Sequence, residues 1–311
     1  MGTVLKPEHG SVEWLRVRQR DIAGRVRFGA SEAPVLMGVS KWSNLVDLAI
    51  DKWTEATEVN EPNAAMERGN VLEPALVDYA ATLMGCSVTT PAVMFTAGRL
   101  IATLDGITEA THPDEPVTIV EAKTTTFHSN DDPLPVEYYW QGIAQLACVP
   151  EADRVLFVCL DKRMRLGHWV LLRDEDAIAE LVAQADAVGR KLDARELPTD
   201  VAPNEAQVRS LFPQSDGTVE LPVAAVAVLD LYRAAREARE EAEAVEKTAR
   251  DQLVAMLGAA EVGTIAGERV VSFKTRKGTV RVDMKSLELA HPELVAAYRV
   301  PGASVRVLRF L

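Results

Sequence analysis

The run Val117-Thr118-Ile119-Val120-Glu121-Ala122-Lys123-Thr124 constrains this chain more than any other stretch. Its first four residues are far more apolar than an exposed hairpin needs, which predicts a strand set into a sheet. Side chains alternate across a strand, so Glu121 and Lys123 project side by side while Val120 and Ala122 face the other way. The preceding run RLIATLD, residues 99–105, reads as the adjacent antiparallel strand, which would bring Asp105 within reach of Glu121. Two carboxylates in so small a volume repel each other unless a cation lies between them, and the pair suits a hard divalent ion held through oxygen. Mg2+ takes one or two carboxylates and leaves its other positions to water and substrate phosphate. Lys123 beside such an ion would lower the pKa of the attacking water or neutralise charge developing on the phosphoryl group. The predicted chemistry is metal-assisted hydrolysis of a phosphodiester. An Asp followed at a distance by Glu-x-Lys matches many exposed strands by accident, so the neighbours matter. The apolar VTIV run and a following helix with Gln141 and Gln145 on one face both favour a site.

Composition bounds the class. The chain has 311 residues, 48% of them hydrophobic and 26% charged, enough for a substantial core in one or two domains. Its formal charge of -12 would argue against a nucleic-acid enzyme if charge were uniform, but DNA responds to local potential. Arg16, Arg18, Arg20, Arg25 and Arg27 crowd the N-terminal part, Lys162, Arg163 and Arg165 form a second group, and Lys274, Arg276, Lys277 and Arg281 a third. Taken singly, each group reads as a solvated face. Cys86, Cys148 and Cys159 lie in apolar contexts without metal-ligand spacing and read as buried thiols of a reducing compartment. The five histidines show no mutual ligand spacing and read as structural. No apolar run reaches membrane-spanning length, and the expected setting is cytoplasmic.

Along the chain, Trp14, Leu15 and Val17 indicate a short helix, and Ser31 reads as the N-cap of another, with Glu32 in its first turn. Ser43 or Asn44 starts a third. The segment from Ala65 to Gly85 is an amphipathic helix in which Pro74 belongs near the first turn, putting Glu73 close to the N-terminal end. Short strands follow, then a helix over VEYYWQGIAQLACV, two strands flanking the turn at Lys162 to Arg165, and a helix over EDAIAELVAQADAVGRKL. This order predicts a mixed α/β (α+β) domain over residues 1–195. A Pro- and Asp-bearing linker is expected at 196–222, then a long charged helical arm, a β-hairpin and a last strand, SVRVLRFL, within 223–311.

Together these motifs resemble the PD-(D/E)xK nuclease superfamily, and within it the YqaJ-like viral recombinases, relatives of lambda exonuclease. The EWLRVR and GASEAPVLMG segments, the Gly-x-x-x-Glu of RGNVLEPALVDYA, LDGI, VEAK and EYYWQGIAQLACV occur in that family's order. The resemblance implies a restriction-endonuclease-like core, a central mixed β-sheet flanked by helices, with a C-terminal helical arm and β-hairpin. It implies that Asp105, Glu121 and the backbone carbonyl of Ala122 bind Mg2+, with Mn2+ able to substitute, and that Lys123 positions or activates water. Glu73 would act near the metal, through water or a second ion, and Gln141 would steady the site. Arg18, Ser31 and Thr103 would hold a DNA 5′-phosphate, although extra arginines between Arg18 and Ser31 leave open which one meets it. The Pro that precedes the first Asp in the superfamily motif is replaced by Leu104. The implied activity is phage-type 5′-to-3′ digestion of linear double-stranded DNA ends in the host cytoplasm, leaving 3′ single strands for recombination. The implied partners are a ring-shaped homo-oligomer, possibly a trimer, and a single-strand annealing protein. Two alternatives stand beside this reading. One is a RecB- or Cas4-like nuclease of the same superfamily, although the Cas4 cysteine-bound cluster has no counterpart in the cysteines here. The other is a non-catalytic DNA-binding recombination scaffold.

Overall fold

A computed structural model describes residues 3–8, 11–54, 64–108, 115–127, 132–199, 201–214, 217–279 and 281–300. The chain divides into two units, Met1–Pro213 and Gln214–Leu311.

In the first unit β1 (Thr3–Leu5) and α1 (Val12–Gln19) precede β2 (Phe28–Gly29), a 3₁₀ turn over Ala30–Glu32, α2 (Ala33–Leu36) and α3 (Leu45–Trp53). Then come α4 (Ala64–Met84), β3 (Val88–Thr89), β4 (Met94–Ala97), β5 (Leu100–Ala102), β6 (Gly106–Thr108) and β7 (Val117–Thr125). The unit continues with α5 (Val136–Cys148), β8 (Ala152–Asp161), β9 (Leu166–Leu172), α6 (Glu175–Asp193) and α7 (Glu205–Leu211).

Two mixed sheets result. One has the order β3-β6-β7-β8-β9, with β7 and β8 parallel and its other pairs antiparallel; the other has the order β1-β4-β5-β2. The mixed α/β architecture expected from the element order is present. The RLIATLD run, however, is not the neighbour of β7. It is divided: Leu100–Ala102 belongs to the four-stranded sheet, and the strand that pairs with β7 is β6, with Gly106 opposite Val120. Asp105 lies where the chain crosses from one sheet to the other.

Alternation along β7 sorts its side chains. Val120 packs with Leu156, Val158 and the Leu76, Val77 and Ala80 face of α4, whereas Ile119 joins Val155, Phe157 and the apolar faces of α5 and α6. Ile143, Leu146, Leu181 and Leu192 are fully enclosed there, each contributing about 1.5–3 kcal/mol by burial. Gly142 permits the close approach of α5, since a Cβ at that position would come within 2.6 Å of Leu171 Cδ2 and 3.0 Å of Phe157 Cζ.

Several local expectations change. Pro74 stands in the middle of α4, ten residues after its start, so Glu73 is a mid-helix residue and not a first-turn acid. Burial of the Leu76, Val77 and Ala80 face outweighs the hydrogen bond that Pro74 cannot donate to the Asn70 carbonyl. Ser31 is not an N-cap. It lies within the 3₁₀ turn, whose start is secured by Glu32 Oε2 accepting from the Gly29 amide at 2.7 Å. Asn44, one of the two expected starts, caps α3 through the amides of Val46 and Asp47. Cys148 and Cys159 are buried, but Cys86, just after the Gly85 turn that ends α4, is exposed. Within the stretch 196–222 lies α7, whose Gln207 bonds Asp47 at 2.6 Å.

The second unit contains α8 (Ala225–Leu257), the hairpin β10 (Val262–Ile265) and β11 (Glu268–Ser272), then α9 (Met284–Ala290) and α10 (Pro292–Ala297). Arg236–Glu240 and Arg239–Glu243 pairs at helical spacing line α8. The expected final strand at 304–311 falls outside the described residues, as do His9, His112 and His128. Among the described residues no helix is long and apolar enough to cross a membrane.

Candidate active site

Glu121 is buried, only 4% exposed. Its Oε1 accepts from Lys123 Nζ at 2.6 Å and from Gln141 Nε2 at 2.5 Å, while its Oε2 accepts from Gln145 Nε2. The strand alternation that sets Glu121 beside Lys123 also turns both toward α5, where Gln141 and Gln145 lie one helical turn apart on the facing side. Gln145 is completely buried, and its Oε1 has no hydrogen-bond partner among the described residues. The sequence places it on one helix face with Gln141 but gives it no role; a Gln at i+4 from Gln141, in the otherwise apolar run GIAQLACV, is the signal that could have assigned one.

Asp105 approaches from the crossing between the sheets. Its Oδ2 accepts from the Ala122 amide at 2.8 Å. The ladder to β6 ends at Val120, so the Ala122 amide is available for this bond. In an extended strand a residue's carbonyl points to the same side as its amide, so the Ala122 carbonyl faces Asp105 as well. Burial, then the charge of Glu121, then that of Glu73, push the Asp105 carboxyl up to about 8, against the opposing pull of the Ala122 amide and Lys123. Lys123 is held above the usual lysine range: burial alone would lower it, but Glu121, Asp105 and Tyr138 outweigh that effect. Its Nζ lies 5.5 Å from the Tyr138 ring centroid.

Asp105, Glu121 and Gln141 line one open pocket of about 80 Å³ together with Arg18, Ser31 and Thr103. Lys123 joins it through its bond to Glu121. Glu73 sits on α4, which covers the opposite face of the sheet, and reaches the pocket by its charge on Asp105. Of the N-terminal arginines, Arg18 is the one that lines the pocket. Arg25 is tied to Asp21 at 2.7 Å, Arg20 donates to the Gly24 and Lys52 carbonyls, and Arg27 donates to the Val17 carbonyl. Arg18 stacks on Trp14 at 4.4 Å and lies over Gly29, where a Cβ would come within 2.7 Å of its Nη2. Stacking and close packing fix that guanidinium, and among the described residues its hydrogen-bond donors are not engaged.

Among the described residues no three His, Cys, Asp or Glu side chains gather as a ready metal cage. The donor set is two carboxylates and a carbonyl, and Mg2+ characteristically binds through one or two carboxylates, keeping waters for the rest. A carboxyl driven toward neutrality by burial and by an adjacent carboxylate is the electrostatic condition that a hard cation relieves. These residues therefore fit such an ion.

Residues 13–152 match the family model of the YqaJ-like viral recombinase domain, a segment that includes every site residue from Arg18 to Gln141. Among solved structures the chain is similar to an alkaline exonuclease from Laribacter hongkongensis, with 24% identity over 60% of this chain and 94% of that one, at a TM-score of 0.45. It is also similar to a phage-related exonuclease from Haemophilus somnus 129PT, with 12% identity over 55% and 95% of the two chains, at a TM-score of 0.44. No protein of curated function matches the chain.

Proposed function

For a chain carrying a YqaJ-like viral recombinase domain over residues 13–152, we propose a divalent-metal-dependent deoxyribonuclease, a phage-type exonuclease that digests linear duplex DNA from its 5′ ends. The observation that carries the reading is the meeting of Asp105, Glu121 and Gln141 in one pocket with Arg18. Asp105, Glu121 and the Ala122 carbonyl hold the ion, Mg2+ or in its place Mn2+. When bound, that ion supplies polarisation of a phosphoryl oxygen and a more acidic water. Gln141 and Gln145 fix both oxygens of Glu121, so that the carboxylate cannot turn away as substrate enters. Lys123 orients the attacking water and offsets negative charge as it builds on the phosphoryl group. Glu73 adds negative potential on the α4 side, favouring a second cation or an ordered water. Arg18, with Ser31 and Thr103, receives the terminal 5′-phosphate, so that the scissile bond is set by distance from the strand end. Holding a charged group away from the reacting centre is a means of positioning the bond to be cut.

In this reading catalysis belongs to residues 1–195, with 196–222 as a connecting stretch and 223–311 as an accessory extension. A ring of several copies around DNA, such as a trimer, and delivery of the product strand to a single-strand annealing protein complete the proposal. The test is digestion of linear duplexes labelled at either end, with and without a 5′-phosphate, in Mg2+ and in EDTA. Mg2+-dependent release from 5′-phosphorylated ends is expected. Digestion in EDTA, or equal digestion of covalently closed circles, would overturn the reading. Sedimentation with and without duplex tests the ring.

A further inference from the structure

The five-stranded sheet borders a second groove, of about 410 Å³, that takes no part in the site described above; its floor is apolar, with Leu160 and Met164, and its polar groups stand at the walls. It lies where β7 and β8 end. Thr124, Thr125 and Thr126 form one wall, Arg68 and Leu72 of α4 another, and Lys162 stands on the turn from β8 to β9.

Charge and hydrogen bonding mark this groove for an anion. Arg68 and Lys162 are both exposed, and among the described residues neither meets a carboxylate. In a chain of net charge -12, cations left without counter-ions in one groove are a local exception to the global sign. The acid beside them is already engaged. Asp161 is buried, its Oδ1 accepts the Arg163 and Arg165 amides at 2.8 Å each, and its Oδ2 accepts Arg165 Nε at 2.8 Å. Those bonds fix the turn and leave Lys162 presented outward. Thr125 Oγ1 accepts from the Phe127 amide at 3.2 Å, which keeps its own proton available to donate.

The groove also adjoins the catalytic residues along two elements. On α4, Arg68 precedes Glu73 by five residues, about 7.5 Å at helical rise. On β7, Thr125 follows Lys123 by two, about 7 Å at strand rise. That separation corresponds to roughly two nucleotides of a strand at 3.4 Å of axial rise each.

We propose that this groove holds the sugar–phosphate backbone of DNA about two nucleotides from the bond being cut, with Arg68 and Lys162 as its phosphate contacts. The assignment rests on the nuclease reading above. It is tested by fluorescence anisotropy of a labelled linear duplex with Lys123→Ala protein in Mg2+, between about 50 and 200 mM salt. The same background carries Arg68→Ala with Lys162→Ala, and, as a control, Lys191→Ala at the far end of α6. Loss of the pair should weaken binding about tenfold and make the slope of log affinity against log salt shallower by about two, one for each cation removed. Unchanged affinity and slope in the double variant, or an equal loss in Lys191→Ala, overturns the groove assignment. Digestion of the same duplex by the unmodified protein is read separately. Digestion alongside unaltered binding in the double variant overturns the groove alone, whereas absent digestion overturns the nuclease reading whatever the groove does.

Discussion

Two Glu–Lys pairs of nearly the same length, one joining the 3₁₀ turn to α3 and the other within β7, have different consequences. Lys52 Nζ lies 2.7 Å from both oxygens of Glu32, and Lys52 is 3% exposed. Lys123 Nζ lies 2.6 Å from Glu121 Oε1. The first pair is structural: Lys52 is held by Glu32 and, more loosely, by Asp51 at 3.9 Å, and Glu32 has a second use in holding the Gly29 amide. The second is not. Asp105 adds a further carboxylate, a pocket opens onto both acids, and the bonds from Gln141 and Gln145 immobilise Glu121 without cancelling its charge. A buried ion pair is thus a poor sign of chemistry by itself; two carboxyl groups that resist ionising together beside an open pocket are the better one.

Substitutions separate the two. Glu121→Gln should lower Mg2+-dependent digestion about 10^3-fold, a loss of roughly 4 kcal/mol in transition-state stabilisation, while thermal unfolding still reports a folded protein. An active Glu121→Gln protein would erase the contrast. Glu32→Gln should do the reverse, costing about 3 kcal/mol in urea unfolding because buried Lys52 loses its nearest carboxylate and keeps only Asp51 at 3.9 Å. If that variant is as stable as its parent, the pair is not structural. Gln145→Leu is expected to reduce digestion about 10- to 100-fold, as groups that orient metal ligands typically do, and to weaken Mg2+ binding in parallel. Undiminished Mg2+ affinity would show that Glu121 is oriented without it.

Proton linkage gives a smaller and independent effect. The folded protein holds the Asp105 proton up to about pH 8, whereas the unfolded chain releases it near 3.8. Between those values the folded state binds more protons, so without divalent ions stability falls as pH rises through that window. The expected decline between pH 5 and 8 is on the order of 1 kcal/mol or more. Urea titrations at both pH values should find it abolished in Asp105→Asn and offset by Mg2+; a decline of the same size in Asp105→Asn would assign it elsewhere. The smallest effect belongs to Gly29→Ala, whose added methyl displaces the Arg18 guanidinium. Preference for 5′-phosphorylated over hydroxyl ends should drop about tenfold or less, and an intact preference would remove Arg18 from the end-binding role.

Much of the catalytic strand was legible because period-two alternation needs no tertiary information. Glu121 and Lys123 followed from it directly, and the α5 face with Gln141 followed from helical spacing. What escaped depended on contacts between distant segments. RLIATLD has the composition of one strand, but its residues serve two sheets, and a run of β-forming residues does not say where its hydrogen-bond partner changes. Ser31 looked like a cap because Ser is favoured there, yet Gly29 has no side chain and Glu32 satisfies its amide instead. Pro74 was moved toward a helix start by its missing donor, a local penalty that the packing of α4 on β7 and β8 overrides. Gln145 was visible as a residue, but its role required knowing that a carboxylate would stand opposite it.

The crossing at Asp105 ties the site to the order of assembly. One acid hangs where the four-stranded sheet hands the chain to the five-stranded sheet, and the other acid lies in the middle of β7. Neither sheet alone contains both. A chain that has formed only part of this architecture during synthesis therefore lacks the Asp105–Glu121 pair, and partial opening of the first unit should part the two acids before the whole domain melts.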